Sequence, residues 1–125
     1  MPKKILIVED EKAESMALVA RFKMEGFIVL EAFNGEEGLK IALEQQPDFI
    51  LSDIKMPVMD GIQMITQIRQ SGDWGKTVPI LMLTGVVEVD SISKIVEQGV
   101  NDYIVKGAMN LDDVVAKVND KLAGK

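Results

Sequence analysis

Five short apolar runs, separated by helix-length segments, constrain most strongly the fold that this sequence can adopt. Branched apolar residues dominate the runs without alternating with polar ones, which is typical of strands covered on both faces. The predicted strands are residues 4–8, 27–30, 49–52, 78–83 and 102–105. Strands that alternate with helices form parallel sheets through right-handed crossovers. We therefore predict an α/β fold, a doubly wound sandwich of three layers with a five-stranded parallel sheet.

The segments between the runs carry helix signals of unequal strength. The predicted helices are residues 11–25, 35–46, 62–69, 89–98 and 111–122. The last is the clearest, because its apolar residues repeat at helical spacing after Asn110, a favourable N-cap. The first has two overlapping apolar stripes, so its buried face stays open. One stripe contains Leu18 and Phe22, and the other consists of Ala13, Met16, Ala17 and Ala20.

The length and charge of the chain narrow the class of protein. With 125 residues, it fits one domain, which we expect to span residues 1–125. Its 14 basic and 20 acidic residues give a net charge of −6. This charge disfavours direct binding to nucleic acid or to an anionic membrane. The apolar run from Ile5 to Val8 is too short for a signal peptide or a membrane span, so we expect a cytoplasmic protein.

Cysteine and histidine are both absent from the sequence. Disulfides, thiolate metal sites and histidine zinc sites are therefore excluded. Catalysis by Ser-His or Cys-His pairs and by an imidazole base is excluded as well. Carboxylates, lysines and hydroxyls remain as the groups that can carry chemistry.

Chemically capable residues follow four of the five predicted strands. They are Glu9 and Asp10 after the first strand, Asp53 after the third, Thr84 after the fourth and Lys106 after the fifth. Each one alone is more simply a turn or cap residue. The carboxyl ends of parallel strands share one edge, where open α/β sheets bind their ligands. The coincidence predicts a site at that edge.

Carboxylates that converge at this edge would repel each other and raise the pKa of at least one, unless a cation neutralises them. An all-oxygen site without histidine or cysteine selects a hard ion, and few protein ligands favour Mg²⁺ over Ca²⁺. Beside such an ion, Asp53 can attack phosphorus and form an aspartyl-phosphate. Thr84 can then donate to a phosphoryl oxygen, and Lys106 can pair with a carboxylate or with the phosphoryl group. The alternative is an acidic surface patch that binds no ion specifically.

These residues resemble those of a response-regulator receiver domain of two-component signalling. The match consists of Glu9-Asp10, then Asp53 within Asp-x-x-Met-Pro-x-Met-Asp-Gly, then Thr84, Tyr103 and Lys106. It runs in order through essentially the whole chain. The resemblance implies the flavodoxin-like strand order 2-1-3-4-5 of the chemotaxis regulator.

The resemblance also implies roles around the acceptor. Asp53 would be the phosphoacceptor, and Mg²⁺, with Mn²⁺ as a substitute, would be held by Glu9, Asp10, Asp53 and the backbone carbonyl of Lys55. The phosphoryl donor would be a sensor histidine kinase or a histidine phosphotransfer protein. The chain would be a signalling phosphoprotein with self-catalysed phosphorylation and dephosphorylation, not an enzyme in the ordinary sense.

Further roles implied by the resemblance concern the switch. Thr84 would be the switch hydroxyl, Tyr103 the switch aromatic and Lys106 the lysine that contacts the phosphoryl group. The surface of the fourth helix, fifth strand and fifth helix would signal to a downstream protein partner or a fused output domain. Gly107 departs from the family, which usually has proline there, so we expect a looser loop. Lys55 lies where the family tunes phosphoryl hydrolysis, and we expect it to affect the phosphoryl lifetime.

Several alternatives stay open from the sequence. Gly75-Lys76-Thr77 resembles the end of a P-loop, but Gln70 stands where the first glycine of that motif belongs, so we predict a surface loop. A flavin-binding protein of similar fold is disfavoured by the acidic residues after the first strand. A phosphatase with an aspartyl-phosphate intermediate is disfavoured by Lys55, which replaces a second aspartate. A receiver that is no longer phosphorylated is the third alternative.

Overall fold

The computed structural model describes residues 2–85, 89–100, 102–108 and 110–124. Within these ranges the chain forms five strands and six helices, followed here in chain order. They are β1 (Lys4–Val8), α1 (Lys12–Met24), β2 (Ile28–Ala32), α2 (Gly35–Gln45), β3 (Phe49–Asp53), α3 (Gly61–Arg69), α4 (Asp73–Thr77), β4 (Ile80–Thr84), α5 (Val89–Glu97), β5 (Tyr103–Val105) and α6 (Leu111–Leu122). The strands pair in parallel in the order β2-β1-β3-β4-β5. The predicted α/β class and strand order are confirmed.

The sheet lies between two apolar clusters, one on each face. In β1, Leu6 and Val8 join the cluster under α2, α3 and α5, while Ile5 and Ile7 join the cluster under α1 and α6. Every residue of β3 and β4 is buried. Burial on both faces explains why these strands read as unbroken apolar runs. It also gives the three layers of a doubly wound sandwich.

The buried face of α1 is the one that contains Leu18 and Phe22, together with Ser15. The competing stripe faces solvent, and its Met16 is 70% exposed. The sequence left this choice open because both stripes have helical spacing. The packing of Phe22 edge-on against Phe27, with ring centroids 5.3 Å apart, anchors the inward face.

One predicted loop was wrong. Residues 73–77, which contain Gly75-Lys76-Thr77, form the short helix α4. A Cβ at Gly75 would collide with the carbonyl oxygen of Ile68, so this helix packs closely on the end of α3. Trp74 closes the turn from the other side, since its indole nitrogen donates to the Pro47 carbonyl over 2.9 Å. A helix of five residues is too short to show a periodic pattern in the sequence.

Helix caps fix the entries to the helices that begin near the site. Asn34 caps α2 by accepting from the Glu37 amide over 2.8 Å. Asp60 forms a capping box with Gln63 at the start of α3. The predicted cap of α6 is confirmed, because Asn110 accepts from the Asp113 amide over 2.8 Å. None of the described helices has the length and apolar character needed to cross a bilayer.

Candidate functional site

The carboxyl ends of β1, β3, β4 and β5 form the edge of the sheet where the site lies. Asp53 is the last residue of β3 and Thr84 the last of β4, while Glu9 follows β1 and Lys106 follows β5. The register brings these ends level, because Asp53 pairs with Leu83 and the strands run in parallel. The structure therefore brings together the strand-end residues that the sequence singled out.

Asp53 is held rigidly at this edge. Its side chain is buried, with Oδ1 accepting from the Ile54 amide and Oδ2 accepting from the Lys106 ammonium, each over 2.8 Å. Behind it, the Ser52 hydroxyl donates to the Asp53 carbonyl over 2.8 Å. A Cβ at Gly61 would collide with that same carbonyl oxygen, so glycine is required there. Both the backbone and the carboxylate of Asp53 are thus fixed before any ligand binds.

Glu9, Asp10 and Asp53 form an acidic cluster in which one carboxylate oxygen of each lies within 4.8 Å of the others. Glu9 is fully buried and Asp10 is exposed. Oε1 of Glu9 accepts from the Glu11 amide and from Lys106, each over 3.1 Å. Its Oε2 lies 2.9 Å from the Lys106 nitrogen, but outside hydrogen-bond geometry, so this buried oxygen has no hydrogen-bond partner among the described residues.

This donor set fits a hard divalent cation. Buried polar atoms are almost always hydrogen-bonded, whereas Oε2 of Glu9 has only the Lys106 cation nearby, so this oxygen keeps lone pairs that a metal ion can use. Carboxylate oxygens without nitrogen or sulfur donors are the ligands that Mg²⁺ prefers. The burial of Glu9 and Asp53 argues against the alternative of an acidic surface patch, which would be solvated. The three carboxylates are therefore placed so that together they could hold one metal ion.

Desolvation by burial, more than mutual repulsion, raises the pKa values of Glu9 and Asp53. Burial raises the pKa of Glu9 to about 7, opposed by hydrogen bonds from Lys106 and the Glu11 amide, with repulsion by Asp53 contributing less. Burial likewise raises the pKa of Asp53, opposed by Lys106 and the Ile54 amide. The expected rise in pKa is therefore present, and the expected repulsion contributes to it, while burial is the larger cause.

Lys106 is the centre of charge compensation in the site. Its ammonium lies 2.7 Å from Glu14, 2.8 Å from Asp53 and 2.9 Å from Glu9. Burial lowers the pKa of Lys106, but hydrogen bonds to Asp53, Glu14 and Glu9 outweigh this and raise the pKa above its ordinary value. The lysine therefore remains a cation throughout the physiological range.

Glu14 is the member of the site that sequence reasoning missed. It lies on the first turn of α1, four residues after Asp10, and its Oε2 accepts from Lys106 over 2.7 Å. Positions four apart on a helix share a face, so this spacing was the available signal. The signal was weak, because Asp10 precedes α1 and the tilt of α1 over the sheet decides what Glu14 reaches.

The remaining predicted residues surround this centre. Thr84 is buried at the end of β4 and pairs with Val105. Tyr103 is half-buried and packs against the cluster that contains Ile95 of α5. The Lys55 side chain is exposed in the loop after β3. The segment at Gly107, where the sequence predicted a looser loop, forms a 3₁₀ turn over Lys106–Ala108.

Known proteins are similar over the whole of this architecture. The family model described as "Response regulator receiver domain" matches residues 5–119. The transcriptional regulatory protein SrrA of Staphylococcus aureus is 40% identical over 106 residues, which cover 85% of this chain and 42% of that protein. The chain spans less than half the length of the curated relatives it matches.

Solved structures agree with the family match. A receiver-domain protein, described as CheY-like, from Methanospirillum hungatei superposes with a TM-score of 0.92 and 27% identity, covering 99% of this chain and 96% of that one. A chain in the CheX-CheY complex with BeF₃ and Mg²⁺ from Borrelia burgdorferi superposes with a TM-score of 0.83 and 26% identity, covering 94% and 87%.

Proposed function

The chain belongs to the response-regulator receiver family, and we propose that it is the phosphoacceptor switch of a His-to-Asp phosphorelay, with Asp53 as the acceptor. One observation carries the proposal. The Asp53 carboxylate is buried, is fixed by the Ile54 amide and by Lys106, and lies beside Glu9 and Asp10. A flavin phosphate would meet repulsion from the same acids, which disfavours the flavin-binding alternative.

In the transfer step, an Asp53 carboxylate oxygen attacks the phosphorus of a phosphohistidine on a sensor histidine kinase or histidine phosphotransfer protein. The P–O bond forms while the P–N bond breaks, and the departing imidazole nitrogen keeps the electron pair and takes up a proton. Burial raises the pKa of Asp53, so the neighbouring Lys106 cation has to favour the ionised, nucleophilic form.

In this proposal the site would hold Mg²⁺, with Mn²⁺ as a substitute, through Glu9, Asp10, Asp53 and the backbone carbonyl of Lys55. The buried Oε2 of Glu9, which has no hydrogen bond, and the three adjacent carboxylates support this assignment. When bound, such an ion neutralises phosphoryl charge. The complex of the Borrelia burgdorferi protein with BeF₃ and Mg²⁺ offers a related precedent.

Phosphorylation changes the charge that Thr84 and Lys106 face. It adds about −1.5 to −2 charges at Asp53. A hydrogen bond to a charged group contributes roughly 1.5–3 kcal/mol, and Lys106 already donates to Asp53, so the new bond from Thr84 supplies about that much. The stronger charge that Lys106 then faces adds to this, and inverting a 1:99 equilibrium takes roughly 5.5 kcal/mol in all. Tyr103, which packs against the apolar cluster that includes Ile95 of α5, connects this change to the surface of α5, β5 and α6.

The output of the switch is a downstream protein partner or a fused output domain. Relatives that are named transcriptional regulators are about twice as long as this chain or more, which supports a fused output in those proteins. The net charge of −6 argues against direct nucleic-acid binding by this domain itself.

Intact-mass measurement tests the proposal. The parent protein is treated with Mg²⁺ and a small phosphodonor, beside Asp53→Asn and a matched control, Asp60→Asn. We expect one added phosphate on the parent and on Asp60→Asn, because asparagine also caps α3. Asp53→Asn should gain none. Equal labelling of the parent and Asp53→Asn, or no labelling of the parent, would reject Asp53 as the acceptor and would favour an unphosphorylated receiver.

A further inference from the structure

Glu14 makes a contact that the proposed function does not use. Its Oε2 lies 2.7 Å from the Lys106 nitrogen, although the two residues are 92 positions apart. We propose that Glu14 is a positioning residue, which holds the Lys106 ammonium in place for the phosphoryl group on Asp53. This inference rests on the proposed function of Asp53.

A count of donors shows why Glu14 differs from the other partners of Lys106. A lysine ammonium has three N–H donors. Among the described residues, the carboxylates of Asp53, Glu9 and Glu14 accept from it. In the proposed function Asp53 is converted to the acyl phosphate and Glu9 is engaged by the metal. Glu14 is the carboxylate of this set that keeps its charge and its freedom to hold Lys106 after both changes.

Lys106 needs such a restraint because its own chain segment supplies little. A lysine side chain is a flexible four-carbon stem, and ordering it costs up to about 2 kcal/mol. Gly107 follows it, without the ring that proline would provide. No described atom lies within 4 Å of the place where a Cβ at Gly107 would stand, so neighbours do not confine the turn from that side.

Glu14, in contrast, stands on a rigid support. The next residue, Ser15, is fully buried, and its hydroxyl donates to Glu31 of β2 over 2.7 Å. Leu18, one turn further along α1, is buried in the core. The backbone that carries Glu14 is therefore fixed on the sheet, and the short ion pair transmits that rigidity to the lysine nitrogen.

The exposure of Glu14 indicates that orientation outweighs repulsion. Its side chain is 39% exposed, whereas that of Glu9 is fully buried. Water therefore screens the Glu14 charge from an anionic phosphoryl group more effectively than it screens Glu9. Removing the Glu14 carboxylate has two opposing effects on binding of an anionic phosphoryl group. It removes a repulsion that water already screens, and it removes a direct hydrogen bond of 2.7 Å that orients Lys106. We expect the loss of the hydrogen bond to be the larger effect.

The test uses trifluoroberyllate with Mg²⁺, a phosphoryl analogue that binds without a covalent transfer. Saturation is followed by ¹⁹F NMR in the parent, Glu14→Ala, Glu14→Gln and the matched control Glu36→Ala, which removes an exposed carboxylate from the first turn of α2. We expect Glu14→Ala to need roughly five- to tenfold more analogue for half-saturation, the loss of one oriented charged hydrogen bond. Its ¹⁹F spectrum should change at the fluorine that faces Lys106.

Glu14→Gln should bind close to the parent, because its amide oxygen still accepts from Lys106, and Glu36→Ala should match the parent. Unchanged or tighter binding by Glu14→Ala would overturn the inference, as would an equal loss in Glu14→Gln. If the parent itself bound no trifluoroberyllate, the proposed function would fail first and this inference with it. The two failures are therefore distinguishable.

Discussion

Lys106 and Arg69 are both partly buried cations, and their positive charges are compensated by different kinds of partner. Lys106 contacts carboxylates of Asp53, Glu14 and Glu9, and these partners raise its pKa despite burial. Arg69 donates to backbone carbonyls, and burial lowers its pKa. Carboxylates can be phosphorylated, protonated or bound by metal, whereas peptide carbonyls keep the same dipole under all these conditions. The charge around Lys106 can therefore change with phosphorylation, protonation or metal binding, whereas the carbonyl partners of Arg69 stay the same.

The carbonyls around Arg69 come from elements that meet far from the site. Its Nε donates to Gln98, just after α5, over 2.6 Å, and its Nη1 donates to Gly75 of α4 over 2.9 Å and to Val78, before β4, over 2.8 Å. Arg69 itself ends α3. It therefore joins α3, α4 and α5 at the end of the sheet opposite the acidic cluster.

The largest stability effect is expected at Arg69. Arg69→Met should lower the free energy of unfolding by about 2–4 kcal/mol. Its three charge-assisted hydrogen bonds contribute roughly 1.5–3 kcal/mol each, but the variant no longer buries a charge and it buries an apolar side chain instead, which offsets part of the loss. Urea denaturation measures the change. Mg²⁺ should not restore the lost stability, and the folded variant should still be phosphorylated on Asp53. A loss below about 1 kcal/mol would show that the carbonyls find water instead.

Lys106→Met should cost less, about 1–3 kcal/mol without metal. Breaking a buried ion pair typically costs about 3–5 kcal/mol, but here Glu9, with a pKa of about 7, can take up a proton and Glu14 is partly solvated. Mg²⁺ should restore much of the loss and should bind more tightly than to the parent, since a competing cation is gone. Calorimetric titration with Mg²⁺ and urea denaturation measure both effects. If Mg²⁺ restored the stability of Arg69→Met and Lys106→Met equally, the result would contradict the claim that only the carboxylates around Lys106 bind the metal.

The loss in Lys106→Met should also depend on pH. Burial already raises the pKa of Glu9 to about 7, and removal of Lys106 takes away a group that lowers it. A carboxyl whose folded pKa is raised destabilises the fold when it is ionised and regains stability as pH falls through that pKa. The destabilisation should therefore be larger at about pH 8 than at about pH 6. The opposite trend would contradict the burial of Glu9.

The smallest effect is expected at Asn110, which serves as a baseline because its side chain bonds to Asp113 and, among the described contacts, to neither cation. Asn110→Ala should lower the free energy of unfolding by about 0.5–2 kcal/mol, because the Asp113 amide loses its cap. Neither Mg²⁺ nor pH should change this loss, which thermal or urea unfolding measures. A dependence on Mg²⁺ would mean that the α6 cap is coupled to the acidic site.

Much of the fold was predictable because parallel strands that are buried on both faces consist of unbroken runs of apolar residues. β1 was predicted with the observed bounds, whereas β2 begins one residue later than predicted and ends at Ala32 instead of Leu30. Glu31 interrupts the apolar run there, and its pairing with Ser15 is a tertiary contact. The short α4 was missed because five residues cannot display a helical period.

Part of the site was likewise predictable from the sequence, and part was not. Residue types and strand ends alone predicted that Asp53 would meet Glu9, Asp10 and Lys106, because parallel strands place their carboxyl ends on one edge. The sequence by itself therefore determined the layers, the strand order through family resemblance and the acidic character of the site.

Only the tertiary structure decided which face of α1 is buried and that Glu14 reaches Lys106. It also decided that loss of water, more than repulsion, raises the pKa of Glu9 and Asp53. The physical reason is that local sequence sets periodicity and residue chemistry, whereas distance and burial arise only when α1 packs across the sheet edge.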